Sequence, residues 1–277
     1  MTGLLCVGWA AGPQYDEARK LYDATDFQQS LRLLNAIPDK TTDAYALMGR
    51  NYYMLADFKR ASELLEKAFT AQPANSDYAL WLGRAYGRRA ETSGVFTAPG
   101  FASRAHQYFE KAVRLNPRNL DALSDLFEYY LEAPGFLGGG MDKAQQLAGQ
   151  IAQVDPSEGY WAMFKLAEER RDYSRAEEQL RRAVEAAPRQ VGKVIELARF
   201  LTKQGRYQEA DQSFERAEKI APNSPRLMYA RADLYIKTGR NLDTAKALLE
   251  RYLNATLTPE DPPRAEAVKL LRKVRGG

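Results

Sequence analysis

The chain has a single cysteine, Cys6, and a single histidine, His106, among 277 residues. A lone cysteine forms no internal disulfide, so cysteine usage leaves the redox compartment open. One Cys and one His cannot build an ordinary zinc site, which draws four ligands from such side chains. The same scarcity leaves no cysteine or second histidine for a nucleophilic triad. His106, one residue past a small packing position, reads as a surface or half-buried helical residue rather than a general base. Charge of one sign is scarce too: 40 basic against 36 acidic residues give a net +4. That bias is too mild for a whole-chain nucleic-acid footprint. There is no Gly-x-Gly-x-x-Gly fingerprint, and the carboxylates are spread over helix faces as solvating charges and i,i+4 partners. The expectation is therefore of no catalytic residue, no cofactor and no metal. At 45% apolar and 27% charged residues, the composition is that of a folded chain rather than a disordered one.

Long apolar runs are absent as well. The first twelve residues, Met1-Thr-Gly-Leu-Leu-Cys-Val-Gly-Trp-Ala-Ala-Gly12, are apolar and small but too short to span a bilayer. They resemble the tail of a secretory signal without its basic region, with Gly8-Trp-Ala-Ala11 as a candidate cleavage site. Residues 1–12 are accordingly expected to be a truncated signal-peptide remnant. An exported, periplasmic location is favoured over a cytoplasmic one. The plainer alternative is an apolar N-terminus that packs on the first helix.

What the chain does have is internal repetition. Four stretches end alike: Glu66-Lys-Ala-Phe-Thr-Ala-Gln-Pro73, Glu110-Lys-Ala-Val-Arg-Leu-Asn-Pro117, Arg181-Arg-Ala-Val-Glu-Ala-Ala-Pro188 and Glu215-Arg-Ala-Glu-Lys-Ile-Ala-Pro222; Pro156 ends a looser copy. Successive prolines lie 44, 39, 32 and 34 residues apart, a basic period near 34 with two local insertions. In the cleanest unit, Tyr45, Met48, Gly49 and Tyr52 share one face of a first helix. Ala61, Leu65 and Ala68 share a face of a second, with residues 56–59 as the turn. Small residues at Gly49 and Ala61 predict close backbone approach. Pro73 ends the second helix, because it has no N–H and disfavours helix in the residue before it.

This pattern resembles the tetratricopeptide repeat (TPR) family, of bacterial type. Its repeat sets a large residue, Leu-Gly, Tyr, Ala, Phe, Ala and Pro at fixed offsets. The third unit supplies Leu82, Gly83, Tyr86, Ala105, Phe109, Ala112 and Pro117; the sixth supplies Leu197, Ala198, Ala210, Phe214, Ala217 and Pro222. The first and seventh units have drifted, but the resemblance covers nearly the whole chain. It implies an all-α fold: a right-handed α-α superhelix (TPR solenoid) of about six to seven helix-turn-helix repeats plus a C-terminal capping helix. The expected repeats are about 13–38, 42–75, 76–119, 120–156, 157–190, 191–224 and 225–258, with the cap at about 262–274, all in one solenoid domain over 13–277. The implied function is a non-catalytic scaffold or adaptor that holds a protein or peptide in its concave groove. The alternative is a periplasmic accessory or ligand-binding component of an envelope transport or assembly system. No nucleic acid and no stable membrane span are expected; the oligomeric state is left open.

The first helix of each unit should line the groove. Candidate partner-binding residues are Arg50, Tyr53, Arg84, Arg88, Trp161, Lys165, Arg199, Lys203 and Lys237, with Glu128, Glu132, Glu169 and Asp233 as an acidic component of the same rows. These rows give basic ends around an acidic middle, with Tyr53 and Trp161 as aromatic platforms, which suits an extended or helical peptide with acidic termini, since Arg holds carboxylates in a bidentate fork. Co-chaperone members of the family grip a C-terminal carboxylate with Lys and Asn, whereas this chain has Arg50 and Arg84 where the Asn would be. That specificity is not expected. The two insertions fall within 88–102 and 133–141, at the same point of adjacent repeats. They bring large apolar residues into segments expected to be solvated loops: Val95, Phe96, Phe101, Phe136 and Leu137. These either brace the repeats or form an apolar lip for a partner. Gly138-Gly-Gly140 lacks the Gly-Lys-Ser/Thr ending of a phosphate loop and is expected to serve backbone geometry.

Overall fold

The computed structural model describes residues 12–275; the apolar segment 1–11, including Cys6, lies outside them. Among the described residues the chain is all helical, with fifteen α-helices, one 3₁₀ turn and no strand. It forms two compact units, one ending at Ala122 and one beginning at Leu123.

The first unit contains α1 (Pro13–Asp23), α2 (Phe27–Ala36), α3 (Thr42–Met54), α4 (Phe58–Ala71), α5 (Ser76–Thr92) and α6 (Ala98–Leu115). They pair in order as helix hairpins. The turn within a hairpin follows a rule legible in the residues. Thr25 and Ala56 take left-handed φ values of 63° and 61°. The next residue, Asp26 or Asp57, caps the second helix by accepting from the backbone N–H of Gln29 or Arg60. Gly49 is small because α4 leaves no room: a Cβ there would lie 2.6 Å from Leu65 Cγ and 3.2 Å from the Ala61 carbonyl oxygen. Ala61, Leu65 and Ala68 are fully buried opposite it.

The segment expected as a loop over 88–102 is corrected by the structure. α5 has 17 residues against 13 in α3, and α6 has 18 against 14 in α4. The insertion is thus mostly one extra turn of each helix, and only Ser93–Thr97 connects them. Nothing between Arg88 and Thr92 breaks a helix, and Pro99 sits in the first turn of α6, where its missing N–H costs nothing.

The second unit contains most of α7 (Leu120–Glu132), then a 3₁₀ turn (Gly135–Leu137), α8 (Met141–Val154), α9 (Pro156–Glu169), α10 (Tyr173–Ala186), α11 (Val191–Lys203), α12 (Tyr207–Ile220), α13 (Pro225–Thr238), α14 (Leu242–Leu253) and α15 (Arg264–Arg275). The prolines act as the sequence predicts. The residue before each of Pro73, Pro117, Pro156, Pro188 and Pro222 has left the helical region, with φ from −133° to −144° and positive ψ, and each preceding helix has just ended. Pro156 also opens α9. The glycine run before α8 is spent on the backbone. Gly138 has φ 94°, and a Cβ on Gly139 would lie 1.7 Å from the Ala133 carbonyl oxygen. Lys143 Nζ donates to the Gly138 carbonyl at 2.7 Å, which turns it toward the loop itself. At the end of the chain, α15 buries Ala267 and Leu271 in the cluster that holds Leu249 and Tyr252, and so caps the last hairpin.

Candidate functional site

In the first unit, the first helices α3 and α5 bring Arg50, Tyr53, Arg84 and Arg88 together. They meet around a residue the sequence does not single out, Trp81. Arg50 Cζ lies 5.0 Å and Arg84 Cζ 5.1 Å from the Trp81 ring centroid, so one indole carries two guanidinium groups. Tyr53 meets Trp81 edge-on at 5.4 Å and Phe58 at 5.5 Å. Arg88 Cζ lies 5.1 Å from the Phe58 ring. The three arginines differ in what offsets their charge. Arg84 Nη2 is 3.4 Å from Asp121 Oδ2, and Arg88 pairs with Glu91 on its own helix. Arg50 makes no hydrogen bond or ion pair among the described residues, and its Nε is buried without an acceptor. Asp43, in the first turn of α3, is already engaged as the acceptor of the Tyr78 hydroxyl. Burial, and then that hydrogen bond, push Tyr78 well above the ordinary tyrosine range.

In the second unit the predicted basic residues sit on first helices but are largely neutralised. Lys165 and Lys203 both face Glu168, at 3.9 and 2.9 Å. Arg199 lies 3.5 Å from Glu196, and Lys237 2.7 Å from Asp233. Trp161 stands apart from these pairs. Its ring has Lys193 Nζ 5.1 Å from the centroid, and Lys193 in turn donates to Glu158 at 2.5 Å. Neither Lys193 nor Glu158 stands out in the sequence. A signal is nonetheless present: Glu158 and Lys193, like Glu168 and Lys203, are an acid and a base 35 positions apart, one repeat period.

The apolar loop candidates separate by exposure. Phe101 is on α6, half-buried, with Tyr86 stacked on it at 6.1 Å and Arg89 Cζ 4.0 Å from its ring. Leu137 is half-buried, and its carbonyl accepts from Tyr129 Oη at 2.8 Å. Phe96 and Phe136 are 97% and 82% exposed, and Val95 is exposed beside Phe96. Phe101 therefore packs against α5, whereas the exposed Phe96 and Phe136 contribute nothing to a core. His106 is half-buried on α6 with Nε2 3.3 Å from Glu110 Oε1. Among the described residues, no group of three or more His, Cys, Asp or Glu could hold a metal ion. No described helix is long and apolar enough to cross a membrane.

Helix hairpins at a period near 34, closed by proline and packed through small residues, define a helical repeat protein of the kind that presents a surface to other proteins. Comparison with known families identifies the type. Models of the tetratricopeptide repeat match residues 42–75, 162–225 and 201–274, together more than half of the chain. The chain belongs to the tetratricopeptide repeat family. Two solved structures are similar in fold. A thermophilic TPR protein of Thermus thermophilus superposes with a TM-score of 0.56 at 20% identity, over 68% of this chain and 97% of that one. A tetratricopeptide repeat protein of Parabacteroides merdae gives 0.57 at 14% identity, over 95% of this chain and 100% of that one. Among curated proteins, none matches the chain in sequence. Membership of this family makes the chain a protein-interaction scaffold in general terms; such repeats typically carry no catalysis of their own.

Proposed function

We propose that the chain is a scaffold whose first helices hold an acidic segment of a partner protein, with the contact centred on Arg50, Trp81 and Arg84. The supporting observation is Arg50: a guanidinium held on an indole, beside two further arginines, with no anion of its own among the described residues. A carboxylate from a partner would satisfy that charge and lessen the repulsion among the three arginines. Pre-positioning on Trp81 lowers the side-chain entropy lost on binding. The neutralised pairs of the second unit give the basic rows there a weaker claim, which narrows the expected contact to α3 and α5. The cavity beside the α5–α6 connection, about 460 Å³, does not favour an envelope ligand-binding role. Its lining mixes Phe58 and Phe101 with Asp57, Lys59 and Arg89.

The test is crosslinking and co-purification from cells that produce the native chain, with Arg50, Arg84 and Arg88 replaced together by Ala. Selective loss of partners, with the helical circular-dichroism signal retained, is expected. An unchanged set of partners would sink the basic-face idea.

A further inference from the structure

A cavity of about 550 Å³ opens in the second unit against four successive first helices. Ser124 of α7, Trp161 of α9, Lys193 of α11 and Arg226 of α13 all contribute to its wall. That is the size of a site for a small molecule or a short stretch of peptide. Most of its charges are already paired. Lys193, only 8% exposed, is bound to Glu158, and Glu196 lies 3.5 Å from Arg199. One charge in the wall is left over. Arg226 is exposed at the rim and makes no hydrogen bond or ion pair among the described residues. It lies against the α11 backbone at Gly192, where an added Cβ would be 3.5 Å from its Cζ.

Two neutral groups of the wall are also open. The side-chain amide of Gln190 and the hydroxyl of Ser124 make no hydrogen bond among the described residues. A primary amide matches a peptide bond donor for acceptor, and a guanidinium matches a carboxylate in a fork. The half-buried indole of Trp161, packed on Phe127 at 6.1 Å and with Lys193 Nζ 5.1 Å from its centroid, adds an aromatic surface beside them. In an extended chain, neighbouring side chains point to opposite sides, so two adjacent residues can address a floor and a rim at once.

We propose that this cavity binds an extended internal segment of a partner protein in which an aromatic residue is followed directly by an acidic one. The aromatic ring lies on Trp161, the carboxylate on Arg226, and the intervening main chain pairs with Gln190. This rests on the reading of the first helices as the binding surface, but it concerns residues separate from Arg50 and Trp81.

The probe is the capped peptide Ac-Ala-Phe-Glu-Ala-NH2, with Ac-Ala-Phe-Gln-Ala-NH2 as its neutral counterpart. Each is titrated into the full chain labelled with nitrogen-15. Binding is followed at the indole N–H resonances, assigned with Trp81→Phe and Trp161→Phe. The acidic peptide is expected to shift the Trp161 resonance with a millimolar Kd. The neutral peptide should bind roughly threefold to fivefold more weakly, as for an exposed ion pair. Arg226→Gln should abolish that difference. Equal binding of the two peptides, a difference that survives in Arg226→Gln, or no Trp161 shift up to the solubility limit overturns the proposal. A response at Trp81 alone overturns it while leaving the Arg50 site standing. Tighter binding of the free acid Ac-Ala-Phe would assign the cavity to a chain terminus and overturn the internal-segment assignment.

Discussion

Gly159, early in α9, faces Ala152 of α8 so closely that a Cβ built on it would lie 2.4 Å from Ala152 Cβ and 2.5 Å from Ala152 Cα. Carbon atoms in ordinary contact are about 3.5–4.0 Å apart, so Gly159→Ala requires the two helices to separate by about 1 Å. No rotamer change can relieve the clash, because the obstacle is main chain and its first carbon. The neighbours cannot yield cheaply either, since Ala148, Ile151 and Ala162 are all buried. Overpacking of this kind costs about 1–3 kcal/mol. Alanine recovers about 1 kcal/mol as the better helix former, which leaves a net loss of up to about 2 kcal/mol. Gly149, on the exposed side of α8, is the internal control. A Cβ there meets nothing within 4 Å, so Gly149→Ala gains the propensity alone, about 0.5–1 kcal/mol. The same chemical change, one helix apart, should have opposite signs. Urea unfolding followed by circular dichroism reads both, as a lower midpoint for Gly159→Ala and a higher one for Gly149→Ala at unchanged slope. If Gly159→Ala unfolds at or above the wild-type urea concentration, helix proximity is not what that glycine serves.

Ala56 holds φ at 61° although it has a Cβ. Ala56→Gly should raise the urea midpoint by the equivalent of about 0.5 kcal/mol, the relieved strain less the extra freedom of glycine in the unfolded chain. Glu177 accepts from Arg206 and Arg181, and the Arg206 hydrogen bond above all holds its carboxyl below the ordinary range. A lowered native pKa contributes stability above the unfolded value and loses it as pH falls through the native one. Glu177→Gln should therefore cost about 1 kcal/mol at neutral pH and approach nothing in acid, measured by thermal unfolding across that range. Tyr86, enclosed between Phe101 and Tyr108, is pushed up to about 12, first by burial and then by its hydrogen bond to Glu66. Its contribution is complete below the ordinary tyrosine value and is lost as pH rises through the native one. Phenolate absorbance should accordingly appear later in the folded protein than in urea, and Tyr86→Phe should weaken the alkaline fall in stability.

Much of the fold is legible in the sequence because its determinants are local. A proline keeps the residue before it out of the helix, a small residue marks a close approach, and aspartate after a left-handed residue starts the next helix. The added turns of α5 and α6 escape such a reading because Gly94, Pro99 and Gly100 look like loop residues when counted together. Their positions matter more than their number, since Pro99 belongs to a helical first turn. At the site, Arg50, Tyr53, Arg84 and Arg88 follow from helical spacing. Trp81 does not, because beside Leu82 and Gly83 it reads as one more packing residue. Its place between two arginines depends on the register of α3 against α5, which no single helix encodes. The neutralisation of the second unit is hidden for a related reason: Lys203 finds Glu168 one repeat earlier, whereas a row taken at one residue per repeat passes over such pairs.

The extra turns also bear on registration. Four more residues in α5 than in α3 amount to about 6 Å of added helix, and α6 matches it. Equal hairpins would present the same face again at each period, and a bound chain could shift by one hairpin and meet equivalent contacts. A taller α5–α6 pair removes that equivalence within its unit. Along the face that carries Arg50 and Arg84, a chain shifted by one hairpin is no longer in the same alignment.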